Sequence, residues 1–306
     1  MKWIILDRYK IKVYGKKSKL VIKGIAEEHK AFLHNLLTND INGLKEGFFN
    51  YNLRLNGKGY PTQDFFVFNL GDFFILDTEG KASEIIEEFN KLKLSMQVFF
   101  EDLTPNYKHI HIFGKDSEEF IKKNFDISLQ NFQFKLLDGL IIAKNFLRTG
   151  NIGFDVFGNI EQVLNLLDEK DKISNEEFEN ERIKNCIPKI KKELKEGYLP
   201  NESPIFPYAV SLTKGCYIGQ EVVARVHYRG NPPRTTAKFT FEGNLKEGEK
   251  IFIEDKKVGE ITSISPLENV ALGYILKAKL SEKEFKTENG NKIKLVEECN
   301  LNGKNN

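Results

Sequence analysis

Cysteine is scarce in this 306-residue chain: Cys186, Cys216 and Cys299 are far apart, and no Cys-x-x-Cys pair occurs. A disulfide framework is therefore not expected, and a reducing cytoplasm is the natural setting. Three thiols fall short of a four-cysteine iron–sulfur site, and no cysteine–histidine spacing suits zinc, so no metal site is expected. Net charge is nearly absent too, since 46 basic residues against 44 acidic ones leave +2. That balance excludes a dominant electrostatic footprint for nucleic acid and leaves room only for a local basic face. No apolar run approaches the length that crosses a membrane. The opening MKWIILDRYKIKVYG is too charged, and its apolar run too short, for a signal peptide.

What is present fits a soluble globular protein, with 40% hydrophobic and 29% charged residues. The length allows two or three domains with a substantial core, and the chain is expected to act as a monomer. Residues 3–14 and 19–23 read as strands. Residues 26–37 read as a helix with Phe32, Leu33, Leu36 and Leu37 on one face, stopping at Thr38-Asn39-Asp40. The runs 48–55, 65–70 and 73–77 are aromatic-rich strands split by Asn56-Gly57-Lys58-Gly59 and Gly71-Asp72, the turn chemistry of an antiparallel meander. A helix is predicted over 83–92, with Ser83 as its cap. The theme then returns. Residues 109–113, 140–146 and 154–157 read as strands, and 116–124, 161–167 and 175–185 as helices. From Arg234 onward only short strands and Gly-rich turns occur, as in a small antiparallel barrel. The fold class is α+β: two related α+β modules, 1–105 and 106–233, and a C-terminal β-barrel, 234–306, after the Asn231-Pro232-Pro233 break.

The densest chemistry lies in KGCYIGQE, Lys214 to Glu221. Gly215 and Gly219 bracket Cys216, which suits a tight loop with exposed amides. The following EVVARVHY has the length of a short helix, though its valines would suit a strand. If it is helical, Cys216 lies just ahead of a helix N-terminus with Lys214 close by, and both favour thiolate. A plain reading stands beside this one, with Cys216 a small buried apolar residue in a turn. The loop falls at the end of the α+β body, just before the barrel, and ligand sites favour such junctions.

KGCYIGQEVVARVHYRG resembles the signature of the YgfZ-type folate-binding proteins, relatives of the glycine-cleavage T-protein, an aminomethyltransferase. Leu36-Leu37-Thr38-Asn39-Asp40-Ile41, the run GYPTQDFF at 59–66, Leu199-Pro200-Asn201-Glu202, Val258-Gly259-Glu260-Ile261-Thr262-Ser263 and Ala271-Leu272-Gly273-Tyr274 resemble further stretches of that family, in order. The resemblance spans nearly the whole chain. It implies three domains arranged as a ring, with tetrahydrofolate or a one-carbon derivative near the middle. It also implies a cytoplasmic accessory factor for assembly or repair of iron–sulfur enzymes, with those client proteins as partners and a link to tRNA or a tRNA-modifying enzyme. Two alternatives stand: a folate-dependent one-carbon transferase of the glycine-cleavage type, and a non-catalytic protein- or tRNA-binding module.

The same resemblance assigns roles to residues. Asp64 matches the aspartate beside the reactive nitrogens of the folate, where a carboxylate would hydrogen-bond the ligand or stabilise a cation; otherwise it is a turn aspartate opening a strand. Cys216 is the expected reactive thiol, and Lys214 would supply charge to it or to folate carboxylates. Gln220 and Glu221 would order the loop or contact the cofactor. Arg225 and Arg229 suit a glutamate tail or a partner's acidic face. Tyr228 or His227 would stack on a pterin or pack between domains. Thr38 and Asn39 would shape the pocket wall through backbone hydrogen bonds. Cys186 and Cys299 are read as structural. One departure stands out: Arg182-Ile183-Lys184 places a lysine where the T-protein relatives carry a glutamate that holds the pterin, which implies altered pterin recognition.

Overall fold

The computed structural model describes residues 1–22 and 24–303, with residues 18–22 described in their backbone alone. The first half runs β1 (Lys2–Leu6), β2 (Tyr9–Gly15), β3 (Lys17–Ile22), β4 (Ile25–Glu27), α1 (Glu28–Leu36), β5 (Phe49–Leu55), β6 (Pro61–Asn69), β7 (Phe73–Thr78), α2 (Ala82–Leu92) and β8 (Val98–Asp102). There follow β9 (Lys108–Phe113), α3 (Ser117–Phe125), β10 (Phe134–Leu137), β11 (Leu140–Lys144), β12 (Gly153–Gly158), α4 (Glu161–Leu164), α5 (Asn175–Lys184), α6 (Phe206–Ala209) and α7 (Gln220–Arg229). Last come β13 (Arg234–Phe241), β14 (Lys250–Ile253), β15 (Lys256–Ile264), β16 (Val270–Leu276), β17 (Glu284–Thr287) and β18 (Lys292–Glu298).

The apolar run read as one strand over 3–14 is two strands in two different sheets. Asp7 and Arg8 carry the chain across: β1 pairs with β9, whereas β2 pairs with β7 and β8. One sheet has the order β5-β6-β7-β2-β8 and the other β10-β11-β12-β9-β1. The two orders match strand for strand, so the modules are related, and the N-terminal strand fills in the second sheet the place that β8 fills in the first. Residue 23, at the end of the second predicted strand, lies outside the described residues.

Both faces of each sheet are covered, which is why these strands are apolar on both sides. On β6, Phe65 and Val67 pack toward α1 and α2. Phe66 and Phe68 face the other way and share a core with Phe134, Ile141 and Phe157 of the second sheet. The outer face of the second sheet packs on Ile121 of α3 and Val163 of α4. The helices begin close to their predicted starts, with one correction: Ser83 is not a cap. The N-cap of α2 is Lys81, with no side-chain hydrogen bond, because burying Ala82, Ile85 and Phe89 draws the helix start one residue earlier. The last six strands close into a barrel in the order β13-β16-β15-β14-β17-β18.

A second correction concerns cysteine. Cys186, just beyond α5, and Cys299, just beyond β18, form a disulfide with Cα atoms 5.5 Å apart. Their separation of 113 residues hid the pairing, which arises because α5 packs on the barrel: Ile183, Cys186, Leu272 and Cys299 share one buried cluster. Cys216 is free and exposed. No helix among the described residues is long and apolar enough to cross a membrane.

Candidate functional site

Where Arg8 crosses between the sheets, a cavity of about 430 Å³ opens, within the usual range for small-molecule sites of roughly 300–1,000 Å³. The first module lines it with Arg8, Tyr51, Asp64, Phe66 and Glu79, the second with Arg148, and α5 with Phe178, Glu179 and Arg182. A larger groove of about 840 Å³ on the barrel is walled by charged residues such as Glu254, Lys286 and Lys294, none of them a buried polar group in want of a partner.

Asp64 reaches the cavity because β6 pairs with β5, setting it opposite Leu53 and next but one to Tyr51. Its Oδ2 accepts from the Tyr51 hydroxyl at 3.0 Å. Its Oδ1 is buried and has no partner among the described residues. Burial pushes the Asp64 carboxyl above the usual range, with Arg8 pulling the other way, and burial likewise raises the Tyr51 phenol. Arg8 donates through Nε to both oxygens of Asp77 at 2.9 Å, and Nη1 lies 3.5 Å from Glu79 Oε1. Its Nη2 is buried without a partner among the described residues. The guanidinium of Arg148 lies 4.1 Å from the centre of the Phe66 ring and that of Arg8 5.8 Å away, so the apolar floor of the cavity is also a cation–π platform.

A buried charge network behind this floor holds the sheets together. Asp77 of β7 accepts from Arg8, from Lys10 Nζ at 2.8 Å and from Arg148. Asp155 of β12 accepts from Arg148 Nη2 at 3.0 Å and Asn145 Nδ2 at 2.7 Å, with His111 Nδ1 at 2.9 Å. Burial alone would raise both aspartates, but Arg8, Lys10 and Arg148 around Asp77, and above all Arg148 around Asp155, bring them well below the carboxylate range. On the other wall, α5 is fixed by Arg182. Its Nη1 donates to Ile187 O at 2.7 Å and to Glu193 Oε2 at 3.0 Å, and its Nη2 donates to Ser263 Oγ of the barrel at 2.9 Å.

Of the residues given catalytic or cofactor-binding roles in the sequence, Asp64 is the one on the cavity wall; Arg182, noted there for the lysine that follows it, lines the cavity too. Thr38 Oγ1 donates to Ala209 O at 2.7 Å and accepts from Leu53 N at 2.8 Å. Asn39 Nδ2 donates to Tyr51 O at 3.0 Å and Tyr208 O at 2.8 Å. These two tie β5 to α6 behind the wall rather than lining it. Lys214 Nζ donates to the carbonyls of His34, Leu37 and, at 3.0 Å, Asn39, so its ammonium holds the end of α1. Lys184 lies outside the cavity, its Nζ 2.9 Å from Glu268 Oε1 on the barrel, while Glu179 supplies a carboxylate inside.

The stretch after Cys216 is helical from Gln220, which settles the helix-or-strand ambiguity. Tyr217 is buried in the core between the sheets, where burial pushes its phenol up to about 12. The neighbouring Cys216 is turned out to solvent. Glu221, Arg225, Tyr228 and Arg229 are exposed on or near α7, Tyr228 by 67%, and Gln220 is half-buried. None of the five lines the cavity. The reading of the sequence missed Arg8, Arg148 and Glu179. A usable sign was present at Asp7-Arg8, a charged pair splitting an apolar alternation, and at Asp77, a lone acid ending FFILD.

Comparison with known proteins gives four matches of note. The family model described as the GCVT N-terminal domain matches residues 16–169. An aminomethyltransferase of Aquifex aeolicus (strain VF5) is 26% identical over 246 residues, 78% of this chain and 67% of that protein. The tRNA-modifying protein YgfZ of Buchnera aphidicola subsp. Schizaphis graminum is 28% identical over 237 residues, 75% of this chain and 73% of that protein. Among solved structures, the glycine cleavage system aminomethyltransferase T from Bartonella henselae superposes with a TM-score of 0.79, covering 98% of this chain and 86% of its own, at 17% identity. That likeness is one of fold.

Proposed function

The chain belongs to the family of the GCVT N-terminal domain, as a YgfZ-type member, and from that premise we propose that it is a tetrahydrofolate-binding accessory factor for the assembly or repair of iron–sulfur enzymes. The observation that carries the reading is the cavity wall itself. Asp64 presents an unpartnered, buried carboxylate oxygen beside an apolar ring floor and an unpartnered arginine N–H. A flat heterocycle bearing N–H groups, as in a reduced folate, fits that donor set. The folate would supply one-carbon carrying capacity. The protein's part is to bind and orient: Phe66 offers the flat apolar surface, and Arg8 and Asp64 offer directional hydrogen bonds, with burial raising the Asp64 carboxyl above its usual range.

Cys216 lies outside this cavity, on a loop anchored by Tyr217 and open to solvent, so its thiol is accessible to a macromolecular partner. That accessibility supports a client-directed role. The name of the Buchnera relative extends the proposal to tRNA modification, through an iron–sulfur enzyme that acts on tRNA. Calorimetric titration of tetrahydrofolate into the wild type and Asp64→Ala tests the ligand. Binding by the wild type that is lost in the variant supports the reading, and absence of binding by the wild type removes folate from it. A Cys216→Ala strain that keeps full activity in all its iron–sulfur enzymes would remove the client role.

Aminomethyl transfer is the second reading, favoured by the similarity to the Aquifex aminomethyltransferase. Release of methylene-tetrahydrofolate from an aminomethylated lipoyl carrier would establish it.

A further inference from the structure

Arginine is used sparingly in this chain, at seven of the 46 basic residues. Five of the seven are held by carboxylates of the fold. Arg8 and Arg148 pair with Asp77, Arg54 with Glu88, Arg182 with Glu193 and Arg234 with Glu202. The other two, Arg225 and Arg229, are exposed and have neither an ion pair nor a hydrogen bond among the described residues. Lysine supplies the ordinary solvated charge of this surface, and it serves the last turn of a helix as well as arginine does. What arginine adds is a flat, rigid fork of N–H donors that meets an anionic group with two bonds at once. Two such forks on one helix, both unused by the fold, are set for anions that come from outside it.

Helix geometry brings them together. Residues three and four apart on an α-helix share a face, so Arg225, Tyr228 and Arg229 stand side by side on α7, with Glu221 one turn earlier. The opposite face is fixed in place. Val223 is buried in the core between the sheets, and Asn201 Nδ2 donates to Val223 O at 3.2 Å. Tyr228 is exposed but supported. Its ring meets His227 edge to face with centroids 4.9 Å apart, and the His227 ring lies 5.7 Å from Phe206, which packs on the same core. The core therefore props an aromatic ring at the surface beside two free guanidinium groups. Ile218, in the loop just before the helix, adds an aliphatic side chain that is 45% exposed.

This chemistry favours a protein over a nucleic acid. A phosphate backbone is held by many clustered cations, and the exposed Glu221 on the same face would repel it. Tyrosine and arginine are instead the residues that carry most of the energy in protein interfaces, above all when they are held ready before contact. We propose that the exposed face of α7, formed by Arg225, Tyr228 and Arg229, docks an acidic patch on the client protein. The inference rests on the client-directed reading of Cys216 and adds what that client must present: Asp or Glu side chains for the two arginines, around an apolar recess for Tyr228.

The probes are the purified iron–sulfur enzyme whose activity falls most in the Cys216→Ala strain, and unfractionated tRNA from the same cells. Calorimetry measures their binding to the full chain as wild type, Arg225→Gln/Arg229→Gln and Tyr228→Ala. Lys256→Gln/Lys257→Gln, at two exposed lysines of the barrel, is the control for loss of the same charge elsewhere. Neither arginine is bonded within the fold, so their double variant is expected to unfold in urea at the wild-type midpoint. The enzyme is expected to bind the wild type. Its affinity falls by about 10- to 100-fold in the double arginine variant and by a similar factor in Tyr228→Ala. The lysine control changes it by less than about threefold, and tRNA binds all four proteins weakly and alike. Equal losses in the arginine and lysine variants overturn the docking surface, because bulk charge would then account for them. Tight tRNA binding that is lost in the arginine variant overturns it in favour of RNA. An enzyme that binds all four proteins equally, or none of them, overturns it while the role of Cys216 stands. If no iron–sulfur enzyme loses activity in the Cys216→Ala strain, the client reading itself falls, and the docking surface with it.

Discussion

The ammonium of Lys10 on β2 lies 3.1 Å from Nδ1 of His109 on β9, a contact from one sheet to the other. Lys10 has only N–H groups to offer, so Nδ1 of His109 accepts and the ring proton sits on Nε2, 3.1 Å from Asp155 Oδ1 but off the line of a good hydrogen bond. Burial holds His109 below its usual range, which keeps the ring neutral and able to accept. The same burial, opposed by Asp77, lowers Lys10 to about 8.

This gives stability a pH dependence with a definite sign. The unfolded chain keeps a proton on Lys10 up to about 10.5 and the folded chain only to about 8. Between those values the unfolded state binds more protons, so the folded state gains as pH rises, and that gain is lost as pH falls back through about 8. The stability of the wild type relative to Lys10→Met is expected to rise across this window, with a slope of up to about 1.4 kcal/mol per pH unit. Urea unfolding of both proteins from pH 7 to pH 10.5 measures it, and surface titrations cancel in the difference. A flat difference would mean that Lys10 keeps an ordinary ammonium.

The sequence showed the parts of this architecture that depend on local chemistry. Turn residues at Asn56-Gly57-Lys58-Gly59 marked the β5–β6 hairpin, and the Gly-bracketed thiol marked an exposed loop. What it concealed depends on long-range packing. Lys10 and Asp77 on their strands look like solvent-facing charges, because alternation alone does not reveal that a second sheet covers that face. At the crossing, Asp7-Arg8 interrupts the apolar run, but an interruption alone does not say that the strands on either side of it belong to different sheets. Arg8, the residue the cavity most needs explained, was hidden in that crossing.

The Cys186–Cys299 bond ties the end of α5 to the barrel, and α5 carries Phe178, Glu179 and Arg182 of the cavity wall. Thiol titration of the non-reduced protein is expected to find Cys216 alone, in both the native and the urea-unfolded states. Cys186→Ala is expected to lose about 2–4 kcal/mol of stability. Three reactive thiols in unfolded, non-reduced protein would show that the bond does not form.

Lys214 spans from the signature loop to three carbonyls at the end of α1. Helix ends leave carbonyls without intrahelical partners, and here one ammonium serves them. Lys214→Met is expected to cost about 1–3 kcal/mol. Amide exchange is expected to speed up near residues 34–39 and in the loop, and Cys216 to react faster with a thiol reagent. Unchanged exchange at the end of α1 would show that these bonds are dispensable.

Gly219 sets the angle between that loop and α7. It is the N-cap of the helix at φ 83, and a Cβ there would meet Asn56 O at 2.7 Å, Gly59 Cα at 3.0 Å and Leu55 Cβ at 3.1 Å. These are backbone and near-backbone atoms of the β5–β6 turn, which cannot rotate away, and the left-handed backbone adds strain of its own. Gly219→Ala is therefore expected to cost about 1–3 kcal/mol and to push α7 and the Cys216 loop off the turn. Gly57, in the same turn, has nothing within 4 Å of an added Cβ, so Gly57→Ala serves as the matched control. Chemical denaturation of the two variants, read together with the rate of Cys216 modification, separates the effects. If Gly57→Ala is as damaging as Gly219→Ala, the turn is sensitive to any side chain, and the close seating of the signature loop on it is not what holds Cys216 in place.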